Sequence, residues 1–161
     1  MNLKNIFFAF FVVFGLQQSN AQITKFMTTS FSVSEKTPSG KWGKWSKSEK
    51  VSIVISLDEK KNRIVVYSQE VQVYTIVKYE DIVENADDVI YSFSCSDMDG
   101  MPYTISIITR KKQGNRKQLY INQKNVIVLY NISNYKEKKY YEISGKQFLL
   151  AHGDGLGPGD K

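Results

Sequence analysis

The chain holds one cysteine, Cys95, and one histidine, His152, among 161 residues. A lone cysteine excludes an intramolecular disulfide, so stability has to come from an apolar core. Cys95 falls in an alternating run with Tyr91 and Phe93, where a free thiol reads as a small buried hydrophobe. One Cys and one His cannot assemble a zinc site of the usual type. They are also the only Cys/His nucleophile pair available, and His152 sits against a Gly-rich stretch that gives it no fixed place. There is no Gly-x-Ser-x-Gly elbow and no glycine loop between a strand and a helix to cradle phosphate. No cofactor, no metal and no enzymatic activity are therefore expected.

Long apolar runs are equally scarce. The one present, Ile6–Gly15, follows Lys4 and precedes a polar stretch ending in Ser19 and Ala21. This is the layout of a cleavable secretory signal peptide over residues 1–21. Its length is about half of the roughly 20 apolar residues that span a bilayer, and no cysteine stands at the cleavage point to take a lipid. The expected product begins near Gln22, is secreted or periplasmic, and has no stable membrane anchor. Its 140 residues suit one domain. Loss of Lys4 lowers the formal charge from +6 to +5, a modest attraction for acidic surfaces.

Helical periodicity is poor, while period-two alternation recurs along the chain. Phe31/Val33, Val51–Leu57, Ile64–Tyr67, Val71–Val77, Val89–Cys95, Tyr103–Ile107, Leu119–Ile121 and Val126–Ile132 alternate apolar and polar positions between short polar turns. The spacing predicts a single all-β domain over residues 22–150. Its architecture would be an antiparallel meander of about eight strands, forming a small barrel or a two-sheet sandwich. Residues 151–161 alternate with glycine and read as a flexible tail.

Several short patterns bear on binding. Asp97-Met98-Asp99-Gly100 has too few alternate carboxylates for a calcium loop and predicts a hairpin turn. Arg110, Lys111, Lys112, Arg116 and Lys117 flank a Gly-Asn turn and read first as a solvated turn, with a candidate anion site as the alternative. Interleaved aromatics are missing there, so nucleic acid is not an expected partner. Glu80, Asp81, Glu84, Asp87 and Asp88 offer carboxylates for a hydrolase, or simply an acidic connection. Asn131-Ile132-Ser133 is a formal glycosylation acceptor.

The most distinctive pattern is Gly40-Lys41-Trp42-Gly43-Lys44-Trp45. A Gly-x-Trp before the first strong strand resembles the lipocalin and wider calycin signature. That resemblance implies an eight-stranded barrel with a Trp packed across its closed end. The Ser/Thr-rich strand ahead of the motif departs from the pattern. In overall style, the chain resembles small exported proteins of the Bacteroidota, which implies an envelope or external location. Trp42, Trp45, Tyr74, Tyr91, Tyr103 and Tyr120 are the candidate ligand or partner residues. The expected function is that of a non-enzymatic, monomeric binding module for a small apolar ligand, or for a glycan or protein partner. An envelope structural or inhibitor-like interaction domain, working by strand addition, is the alternative.

Overall fold

A computed structural model describes residues 23–136 in full, together with the backbone of Tyr140–Ile143 and Lys146–Leu149. The expected signal segment, His152 and the Gly-rich tail lie outside the described residues. Every alternating run holds a strand, although Val51–Ile53 of the Val51–Leu57 run stays outside its strand. The order is β1 (Ile23–Glu35), β2 (Glu49–Lys50), β3 (Val54–Asp58), β4 (Arg63–Tyr67), β5 (Val71–Tyr79), β6 (Val83–Glu84), β7 (Asp88–Ser96), β8 (Pro102–Arg110), β9 (Arg116–Gln123) and β10 (Val126–Asn134). A separate hairpin, β11 (Tyr140–Ile143) with β12 (Lys146–Leu149), follows.

Strands β3, β4, β5, β7, β8, β9 and β10 are joined in sequence order by antiparallel pairing, and β1 closes the ring. It does so because it is long enough to serve two neighbours: Ile23–Met27 pair with β3, while Phe26–Glu35 pair with β10. The result is a closed eight-stranded antiparallel β-barrel, with β2 and β6 as short additions. Of the two architectures the sequence left open, the barrel forms and the sandwich does not. Closure removes the free edges that an open sheet would expose.

Turn chemistry follows the sequence. Asp58 caps a one-turn 3-10 helix at Glu59–Lys61 by accepting from Lys61 N, and Asn62 ends it in the left-handed region. Gly114 and Asn115 take positive φ at the β8–β9 turn. In the β7–β8 turn, Gly100 has φ +78°. There Asp97 Oδ1 accepts from the backbone of Asp99 and Met101 at 3.0 and 2.8 Å. Asp97 thus organises the turn, as the hairpin reading requires.

Two β-bulges decide which side chains face inward. Along β1, Phe26 and Thr28 are buried; the register then slips between Thr28 and Ser30. Past the slip Phe31, rather than Ser30 or Ser32, packs on the core. In β5 the register slips between Ile76 and Lys78. Continued alternation would send Lys78 inward after Tyr74 and Ile76. The extra residue, Val77, stays exposed, and Tyr79 turns in to stack on Phe93 with ring centroids 5.6 Å apart.

The barrel centre is solid. Ile55, Ile64, Val66, Ile105 and Leu119 are essentially inaccessible, each contributing about 1.5–3 kcal/mol by burial. Cys95 lies in this core, as its alternation predicts, and burial pushes its thiol up to about 11.

Candidate functional site

Packing stops short of one end. The starts of β1, β7 and β9 and the ends of β3, β5, β8 and β10 meet at a mouth that opens into a cup of about 870 Å3. Phe26, Leu57, Phe93 and Ile107 form its floor, and these residues also belong to the core beneath. Tyr79 and Tyr91 stand on the wall, 47% and 43% exposed. Tyr79 is fixed by its stack on Phe93 and by donating its hydroxyl to Asn62 Oδ1 at 3.0 Å. Desolvation raises its pKa, with Glu59 adding to the effect. The cup falls within the roughly 300–1,000 Å3 typical of small-molecule sites. Its polar side chains include Lys25, Lys117 and Glu59 at the rim.

The opposite mouth is smaller, about 400 Å3, and more polar. Tyr74 and Tyr103 meet there edge to face at 4.9 Å. Tyr74 donates to Gln72 Oε1 at 2.7 Å and Tyr103 to Asp97 Oδ2 at 3.2 Å. Desolvation is the main reason that both phenols are shifted upward.

The candidate aromatics are therefore dispersed over the barrel. Tyr91 lines the cup, while Tyr74 and Tyr103 belong to the far mouth. Tyr120 lies outside the barrel, 6.3 Å from the Trp45 ring. Trp42 lies under Lys36 at 5.0 Å. Both indoles are nearly half exposed. Their motif is a backbone device: Gly40 adopts φ +78°, and a Cβ on Gly43 would stand 2.9 Å from Glu35 O. The chain there turns back tightly along β1, with Lys36 bridged to Trp42.

The five candidate cations divide into two groups. Arg110 pairs with Asp88 at 2.6 Å and Lys111 with Glu84 at 2.6 Å, and Lys112 pairs with Asp87. Arg110 also donates to Gln118 Oε1 and the Tyr120 hydroxyl. The acidic connection between β5 and β7 is thereby tied to the basic turn. Arg116 and Lys117 have no carboxylate partner among the described residues. Instead, Lys117 Nζ donates to Asn134 Oδ1 at 2.9 Å. Among the described residues, no group of three or more His, Cys, Asp or Glu side chains is placed to hold a metal ion.

Sequence reasoning missed the floor of the cup. Leu57, Phe93 and Ile107 belong to the alternating runs, whereas Phe26 and Tyr79 lie outside them. The available signal was the crowding of apolar residues at strand ends, which alternation does not weigh.

Fold and cavity together define a closed up-and-down β-barrel with an apolar cup at one mouth. Comparison with family models, curated proteins and solved structures finds no match.

Proposed function

We propose that this protein is an exported, non-enzymatic barrel that binds a small apolar molecule in the cup between Tyr79, Tyr91 and the Phe26–Phe93 floor. The carrying observation is the cavity itself: the half-exposed Ile23, Tyr79 and Tyr91 stand over the buried Phe26, Leu57, Phe93 and Ile107 at the larger mouth of the barrel. Covering such surface releases about 25 cal/mol per Å2, and aromatic walls give rigid contact area at little entropic cost. Of the five carboxylates a hydrolase reading would use, Glu80, Glu84, Asp87 and Asp88 each lie against a cation, which leaves Asp81 alone outside an ion pair among the described residues. Strand addition is disfavoured because the ring closes between β1 and β10.

Trp42 and Trp45 flank β1 beyond Val33, whereas the cup begins at Ile23–Phe26. Phe26 to Glu35 spans roughly 30 Å of extended chain, so indole emission is a poor reporter. The test is titration with a neutral, polarity-sensitive naphthalene dye. Saturable binding lost by at least roughly tenfold in Tyr91→Asp, which puts a charge in an apolar site, is the expected result. Equal binding by the variant would refute the assignment. Export is tested separately: the secreted product should begin at or near Gln22.

A further inference from the structure

A second cavity, a groove of about 640 Å3, lies beside the cup at the β9 start and the β10 end. Cup and groove share Lys117, Asn134 and Tyr135 as lining residues. Arg116 and Lys136 add two further cations, and Asn115 adds an amide. No carboxylate lines the groove among the described residues. This contrasts with the neighbouring Arg110, Lys111 and Lys112, each of which faces an acidic side chain.

An apolar cup bordered by a cationic groove, with three lining residues common to both, matches a ligand with the same asymmetry. We propose that cup and groove form one site for an anionic amphiphile, its acyl chain on the Phe26–Phe93–Ile107 floor and a phosphate-ester head against Arg116, Lys117 and Lys136. The proposal rests on the reading of the cup as an apolar-ligand site. Three cations favour a phosphate ester over a carboxylate, because a monoester carries about −1.5 to −2 charges and three acceptor oxygens. Arg116 can engage two of those oxygens at once, while the lysines act as mobile point charges. Lys117, at the junction, would exchange its neutral Asn134 partner for the head group.

The test compares three probes by calorimetry below their micellar concentrations: dodecanoyl glycerol phosphate, the matching uncharged monododecanoyl glycerol, and glycerol phosphate without a chain. The phosphate-headed lipid should bind roughly tenfold tighter than the uncharged one, a preference that shrinks with added salt because the head stays partly solvated. Arg116→Gln combined with Lys136→Gln should abolish that preference while leaving the uncharged lipid's affinity unchanged. Both positions line the groove and not the cup, and unaltered binding of the uncharged lipid certifies the fold. Equal binding of the two lipids would overturn the phosphate assignment and leave the apolar cup standing. Failure of both lipids would remove the cup reading itself. Binding of glycerol phosphate as tight as that of the lipid would mark a free-anion groove and also overturn the proposal.

Discussion

Thr28 offers the sharpest test of how the barrel closes. It is 1% exposed and sits where β1 changes partner, from β3 to the chain running back through residues 49–53. Its backbone N–H donates to Ile53 O at 2.9 Å. Its hydroxyl accepts from Ile53 N at 2.9 Å and lies 3.2 Å from both Val51 O and Ile53 O. The side chain thus ties β1 to residues 51–53, just past the end of the β1–β3 ladder. Thr28→Val keeps the shape and removes the hydroxyl. The Ile53 donor loses its partner in a part-buried setting, at a cost of about 1–3 kcal/mol, and the added methyl recovers less than about 1 kcal/mol. A net loss of about 1–2 kcal/mol lowers Tm by roughly 4 °C per kcal/mol for a domain of this size. Urea unfolding gives the energy, and amide exchange locates it: Ile53 should lose protection in Thr28→Val and retain it in Thr28→Ser. Unchanged Ile53 protection in Thr28→Val, or a stability change below about 0.5 kcal/mol, would refute the stitching role.

Cys95 should resist thiol reagents at pH 8 in the native state and react at the rate of unfolding, because burial holds its pKa at about 11 against an ordinary 9.0; fast native labelling would contradict this. The same shift, with the upward shifts of Tyr74 and Tyr130, favours the deprotonated groups in the unfolded chain. That stability contribution is intact below pH 9 and falls as pH rises through 11, so a flat urea midpoint from pH 8 to 11 would count against the buried assignments. Arg110→Met should cost about 1–3 kcal/mol by orphaning Asp88 and loosening Gln118, which is itself buried. Lys112→Ala, which breaks an exposed pair, should cost under about 0.5 kcal/mol; equal costs in chemical denaturation would show that burial does not separate them. Gly43→Ala should destabilise by about 1–3 kcal/mol and shift Trp45 emission, since its Cβ meets Glu35 O at 2.9 Å. A neutral outcome would mean the Gly-x-Trp hairpin gives way freely.

Strand placement was legible because each strand buries one face, and the runs from Val51 to Ile132 carry that alternation in their side chains. Closure was not legible, since nothing in Ile23–Glu35 states that one strand serves two neighbours. The bulges were hidden for a similar reason. Phe26 and Thr28 occupy even positions and Phe31 and Val33 odd ones, yet only the β10 partner reveals where the parity changes. The inward turn of Tyr79 was hidden for the same cause, because alternation from Tyr74 and Ile76 points to Lys78. Of the candidate site residues, Tyr91 and Lys117 line the cup. The tryptophans drew attention through their rarity, but their surroundings depend on a glycine hairpin folding back along β1.

The central claim is that the open end of the barrel, and not its tryptophan-bearing outer face, receives ligand. Amide and methyl NMR spectra recorded during titration with the uncharged lipid test it most directly. Saturable shifts confined to Phe26, Leu57, Tyr91, Phe93 and Ile107, with the indole N–H signals of Trp42 and Trp45 unmoved, are the predicted result. Shifts centred on Trp45 and Tyr120, or no saturable shift at the cup, would contradict it.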